Sequence, residues 1–306
     1  MKRLLCALTV ALLLIFILPA CSVQDEGEPT CSFIDDSGYT VNIYGEPSRV
    51  AVLFSSYAEM WGLAGGETEI TVYESVERGF VPQGTLLVDN GAGKTINLEL
   101  LVSYKPDFVI ASLDVLKQVE AVNFLRNLNI PCALFKIESF YDYKSAMQRL
   151  CLVTGNQTAY EQNVTLVENE IAYQKARITQ ANAKKVLFLR AYSTGAKAKS
   201  TANNFVCEML SELNAINIAD GNSVLLEGLS EEVILTENPE IIFISTMGDE
   251  ESAVNYVESY FSSTLSSLSA VKNERYYYLD KNLFQYKPNA RWSLAYKTLV
   301  DILLDE

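Results

Sequence analysis

The chain contains no histidine. That absence excludes Ser-His-Asp and Cys-His catalysis, histidine-ligated zinc or haem, and histidine-based pH switching. Cysteine is sparse and shows no C-x-x-C spacing; beyond Cys21 there are only Cys31, Cys132, Cys151 and Cys207. Cys132 and Cys151 lie in apolar contexts and read as core thiols, with a disulfide left open. Basic residues are also in deficit, with 24 Lys and Arg against 38 Asp and Glu and a formal charge of −14. A surface of that sign repels phosphate backbones, so nucleic acid is excluded as a partner. Hydrophobic residues make up 49% of the chain, enough for substantial cores.

The N-terminus stands apart from the rest. Lys2 and Arg3 precede an apolar run, Leu4 to Ile17, that is too short to span a bilayer. Leu18-Pro19-Ala20-Cys21 follows and resembles the lipobox of bacterial lipoproteins, in which cleavage precedes a lipid-modified Cys. The resemblance implies a signal peptide over 1–20 and a lipid on Cys21. Residues 21–32 are polar and acidic and read as a flexible tether. Loss of Lys2 and Arg3 takes the formal charge from −14 to −16. The expected location is the cell membrane, lipid-anchored on the extracytoplasmic face.

One segment is written twice. Leu98-Glu99-Leu100-Leu101-Val102-Ser103-Tyr104-Lys105-Pro106-Asp107 leads into Phe108-Val109-Ile110-Ala111-Ser112. Glu231-Glu232-Val233-Ile234-Leu235-Thr236-Glu237-Asn238-Pro239-Glu240 leads into Ile241-Ile242-Phe243-Ile244-Ser245. Glu99 aligns with Glu232, Pro106 with Pro239 and Asp107 with Glu240 at one offset. Each copy reads as a short amphipathic helix, a turn and a buried strand, so the fold holds two similar lobes and a cleft between them.

The remaining pattern agrees. Phe33 to Ile43 reads as a hairpin around Asp35-Asp36-Ser37-Gly38, Val50 to Phe54 as a buried strand, and Ser56 to Leu63 as a helix. Val115 to Leu128 has helical spacing, and Pro131 to Phe135 is strand-like. From Gln157 to Ala181 there is neither Pro nor Gly, and Val164, Leu166, Val167, Ile171 and Ile178 recur on one face of a long helix. The alternation then restarts: strand Val186 to Leu189, helix Phe205 to Leu213, strand Ala215 to Ile218, helix Glu250 to Phe261, strand Tyr276 to Leu279 and helix Ala290 to Leu304. The expected domains are an α/β lobe over 33–156, an inter-lobe helix over 157–182 and a second α/β lobe over 183–306.

Phe33-Ile34-Asp35-Asp36-Ser37-Gly38, Pro47-Ser48-Arg49-Val50-Ala51-Val52-Leu53, Asn97-Leu98-Glu99 and Lys105-Pro106-Asp107 resemble the opening lobe of helix-hinged substrate-binding proteins of ABC importers. The likeness runs from about Cys31 to Glu306. It implies two Rossmann-like lobes with mostly parallel central sheets, joined by one rigid helix, that close only slightly on a ligand in the cleft. It implies a monomer that works with an ABC permease and its ATPase, with no catalysis and no intrinsic cofactor. The cargo would be a small-molecule metal chelate: an iron siderophore first, then cobalamin, then haem. In that family a glutamate on each lobe docks to the permease, and the matching residues are Glu99 and Glu232. Both also suit the positive end of a helix dipole.

Gly91-Ala92-Gly93-Lys94-Thr95 superficially suggests a P-loop, but the required earlier glycine is Val88. In the family alignment this stretch is a cleft loop with Asn90 toward ligand. Candidate cations for an anionic ligand are Arg190, Lys197, Lys199, Lys287 and Arg291, from strand ends and from the loop before the last helix. Candidate aromatics are Tyr57, Tyr192, Phe284, Tyr286 and Trp292. The rivals are a two-lobed extracytoplasmic enzyme, which the absence of clustered Cys ligands disfavours, and a non-transport sensor on the same scaffold.

Overall fold

The computed structural model describes residues 28–89, 95–179 and 183–305. The signal peptide, Cys21 and Asn90 lie outside them. The first strands, β1 (Cys31–Ile34) and β2 (Thr40–Ile43), pair antiparallel as a hairpin. Strand therefore starts two residues inside the expected tether; Ser32 Oγ donates to Asn42 Oδ1 across the pair. Asp35 closes the turn. Its Oδ1 accepts from the backbone of Ser37 and Tyr39, and its Oδ2 accepts from Leu134 N and Arg126.

The first lobe is a parallel sheet in the order β5-β4-β3-β6-β7, made of β3 (Val50–Val52), β4 (Ile70–Thr71), β5 (Leu86–Leu87), β6 (Phe108–Ser112) and β7 (Cys132–Phe135). The second lobe runs β10-β8-β11-β12 in parallel, from β8 (Lys185–Tyr192), β10 (Ile216–Asn217), β11 (Ile241–Thr246) and β12 (Tyr276–Tyr278). The strand β9 (Gly195–Ala198) folds back antiparallel on the end of β8. The expected α/β class with parallel sheets is what the chain forms.

The duplicated segment is structurally equivalent in both lobes. Helix Leu98–Ser103 is capped by Asn97, which accepts from Leu100 N, and helix Glu231–Glu237 by Ser230, which accepts from Val233 N. Lys105 and Asn238, each just before a proline, both adopt left-handed φ, at 51° and 43°. The following acids then do the same work. Asp107 accepts from Ser48 N and Arg49 N, and Glu240 accepts from Lys185 N, so each pins the start of its lobe's central strand.

Period-2 alternation splits the core. Val50, Val52, Phe108 and Ile110 face one side of the first sheet, while Ala51, Leu53, Val109 and Ala111 face the other. The second sheet sends Val186, Phe188, Ile241 and Phe243 into the same cluster as the first group. Both inner faces, the connecting helix and the terminal helix Trp292–Leu304 thus share one core.

Two elements depart from expectation. The connecting helix runs Gln157–Tyr160, widens through a π turn at Glu161–Thr165 and continues as Leu166–Arg177. It stops short of residue 182 because Ile178 turns extended (φ −106°, ψ 128°) and buries its side chain in the shared core. Val164, Val167 and Ile171 face that core, whereas Leu166 points to solvent. A 15-residue helix, Phe140–Thr154, fills the stretch between β7 and the connecting helix, where the sequence reading assigns none. Ser139 and Asp142 form a capping box at its start, and Gly155 ends it at φ 67°. The four cysteines among the described residues, Cys31, Cys132, Cys151 and Cys207, are free thiols, the last three buried.

Candidate ligand cleft

Parallel strands of both sheets end at a common opening. β3 runs into Phe54, Ser55 and Ser56, β6 into Asp114, and β11 into Met247; these residues line a cleft of about 660 Å³ together with Arg78, Tyr286 and Lys287. A side pocket of about 160 Å³ continues past Gln285 and Lys287 to Arg190 and Asn204. This is the crevice beyond carboxyl strand ends in which α/β sheets hold ligands. A separate cavity of about 520 Å³ lies within the first lobe, between Gly62 and Leu86, and carries no Lys or Arg.

The floor is built by buried polar ties. Gln118 is fully buried; its Oε1 accepts from Ser112 N and its Nε2 donates to Leu53 O, holding the ends of β6 and β3 together. Arg78 follows the short helix Tyr73–Glu77. Its Nη1 donates to Ser55 Oγ (2.8 Å) and Ser56 Oγ (3.1 Å). Its guanidinium lies 4.5 Å from the Phe80 ring centre and 3.8 Å from that of Tyr286, across the cleft in the other lobe. Arg78 Nε and Nη2 are buried without partners. Sequence reading missed Arg78, because a five-residue helix shows no periodicity and nothing near it in sequence marks the cleft.

Charge is layered. Arg78, Arg190 and Lys287 are half-buried, while Glu77, Asp114 and Glu138 sit exposed at the rim, with Glu74 and Glu208 between. Among the described residues no carboxylate is within ion-pair reach of those three cations, whereas most other lysines and arginines are paired. Burial pushes Arg78 and Lys287 below their usual ranges. It pushes Asp114 up, with Lys287 opposing.

The other sequence candidates divide. Arg190 and Lys197 are directly opposite in the β8–β9 pair, with Lys199 two residues further on the same face. Lys199 is lowered by burial, then by Arg190 and Lys197. Lys197 is exposed, and neither it, Lys199 nor Tyr192 lines the cleft itself. Tyr286 and Lys287 do line it. Four candidates lie away from the cleft lining. Tyr57 is buried in the first lobe, its hydroxyl donating to Phe135 O. Phe284 is a core residue. Arg291 turns away and binds Glu59 of the opposite lobe through both Nη atoms, at 2.6 and 3.1 Å. Trp292, beside it, is buried too.

The architecture can be set beside known proteins. A family model described as "Periplasmic binding protein" matches residues 50–283, most of the chain. This chain belongs to the periplasmic binding protein family. The family member is 24% identical over 262 residues to the uncharacterized ABC transporter substrate-binding lipoprotein YvrC of Bacillus subtilis, covering 82% of this chain and 78% of that one. It is 24% identical over 212 residues to a vitamin B12-binding protein of Pectobacterium carotovorum, covering 69% and 76%. Its fold is similar to that of the siderophore-binding protein BauB, solved with ferric iron and two molecules of acinetobactin, with a TM-score of 0.69, 17% identity and coverage of 89% and 96%.

Proposed function

We propose that this periplasmic binding protein is the substrate-binding component of an ABC importer, lipid-anchored at Cys21 outside the cell membrane. Its cargo is a metal chelate, an anionic ferric siderophore ahead of cobalamin or haem. One observation carries the reading: Arg78, Arg190 and Lys287 are half-buried around a 660 Å³ cleft and its side pocket, with no carboxylate partner among the described residues. Desolvated unpaired cations are costly unless a ligand completes them. Arg78 and Tyr286 together offer a flat cationic and aromatic wall to a planar chelate. Among the described residues no three Cys, Asp or Glu are grouped to hold a bare metal ion, and a chelate brings its own ligands. The names of the relatives, one an ABC transporter lipoprotein, support the importer assignment.

Glu99 and Glu232 support the docking half of the reading. Both are exposed at the second position of equivalent capped helices. The dipole favours an acid there, and an exposed pair repeated on two lobes suits basic residues of a permease. Titration of the purified chain with ferric siderophores, haemin and cobalamin, followed by tryptophan fluorescence, should show selective binding of anionic chelates. Arg78→Ala should weaken that binding about tenfold or more. Reversing both Glu99 and Glu232 to Lys should abolish uptake in cells and leave affinity intact. Preference for uncharged ligands with no effect of Arg78→Ala would sink the cargo assignment, and uptake by the double reversal would sink the docking assignment.

A further inference from the structure

The geometry points to a carboxylate subsite in the 160 Å³ side pocket, where Asn204, Arg190 and Lys287 receive one carboxylate arm of the cargo. The inference rests on the proposed function and narrows its substrate class to chelates that carry a free carboxylate.

Asn204 is 7% exposed and caps helix Phe205–Glu212. Its Oδ1 accepts from Val206 N (2.9 Å) and Cys207 N (3.3 Å). Those two bonds fix the amide, because only an oxygen can accept them. The Nδ2 is left over as a donor, buried, unpartnered and beside the pocket. Arg190 Nε is a second buried donor without a partner on the same pocket. Lys287 is the third group, its Nζ 5.4 Å from the ring centre of Phe205. Buried donors are nearly always satisfied, and each one left open costs about 1–3 kcal/mol. Two open donors and an unpaired ammonium converging on one small space call for an acceptor with several lone pairs, which a carboxylate supplies.

Size and charge narrow the choice. With liquid water occupying about 30 Å³ per molecule, the pocket holds a few heavy atoms. That suits a carboxylate on a short stem and excludes a whole metal centre. Glu138 and Glu208 also border the pocket, so its formal charge with Arg190 and Lys287 is balanced. That balance leaves the open donors free to take one added carboxylate group, the rest of the cargo lying in the main cleft. The β8–β9 hairpin adds a separate sign. Arg190 and Lys197 stand opposite each other, and like charges so placed destabilise a strand pair. A bound carboxylate offsets that repulsion.

The test uses the purified full chain with two probes of defined chemistry, ferric citrate and a ferric tris-catecholate lacking carboxylates. Asn204→Asp keeps the helix-capping oxygen while removing the donor and adding a negative charge; Arg190→Gln keeps length and removes charge. Each variant should lose about ten- to a hundredfold in affinity for ferric citrate, with a distinctly smaller loss for the anionic tris-catecholate, which feels the charge change but not the missing donor. Equal losses on both probes, or no loss on either, overturn the subsite. A wild-type chain that binds neither chelate defeats the proposed function, and the subsite is then decided by iron-free citrate. Citrate should raise the melting temperature of the wild type but not of Asn204→Asp. Stabilisation of both proteins alike by citrate, or of neither, overturns the subsite on its own.

Discussion

Lys287 and Arg291 stand four residues apart and meet opposite fates. Arg291 is bound by Glu59, while Lys287 faces the cleft with no carboxylate in ion-pair reach among the described residues. Burial lowers the pKa of Lys287; Asp114, Glu138 and Asp142 hold it up against that trend, and Lys136 pushes it further down. A bound anion favours the charged form, so binding of the proposed anionic cargo would take up a proton wherever Lys287 is partly neutral. Affinity for an anionic chelate is therefore full below the depressed pKa and falls as pH rises through it, earlier than for an ordinary lysine near about 10.4. Titrations from neutral pH to about 11 should show the fall, and Lys287→Arg should flatten it. A wild-type profile as flat as the variant's would refute the role. Sequence shows that two cations flank Pro288 but not which one is free, because the partner that decides it, Glu59, is 232 residues away.

The short turn Asn289–Arg291 is the element that ties the lobes next to the cleft. Asn289 is fully buried at φ 54°, and its Nδ2 donates to Ser56 O (2.8 Å) and Glu59 Oε2 (2.6 Å). Asn tolerates this left-handed backbone, and Gly tolerates it without strain. Asn289→Gly should cost about 1–3 kcal/mol through the lost bonds. Asn289→Ala should cost about a further 1 kcal/mol because alanine resists that backbone. Urea unfolding of the two variants separates the contributions, and equal stabilities would refute the strain argument. The elements themselves were unevenly legible. The duplicated helix-turn-strand was plain because its caps, prolines and acids recur in order. Helix Phe140–Thr154 was also written in the sequence, with Tyr143, Ala146, Met147, Leu150 and Cys151 on one face after the Ser139–Asp142 box. An Asp in place of the usual Glu or Gln of the box, and the aromatic-rich first turn Phe140-Tyr141, obscured it.

In the whole molecule, Trp292 joins what the sequence separates. Fully buried, it meets Phe140 of the first lobe edge-on at 6.3 Å and Phe205 of the second at 5.6 Å. Both sheets' inner faces share the same apolar cluster around it. Trp292→Ala should cost about 3–5 kcal/mol. The wild-type chain should unfold in one calorimetric transition rather than two, and two separated peaks would refute the shared core. Two lobes were readable from the repeat. Their fusion was not, since it depends on contacts between residues about 150 positions apart. That fusion bears on how a transporter sorts its callers. Lobes clamped by one core and by the Glu59–Arg291 tie should, on the proposed function, keep nearly the same outline whether the molecule is empty or carrying cargo. A permease that accepts only loaded molecules would then gain little information from the distance between the lobes, and would have to sense the cargo itself at the mouth of the cleft.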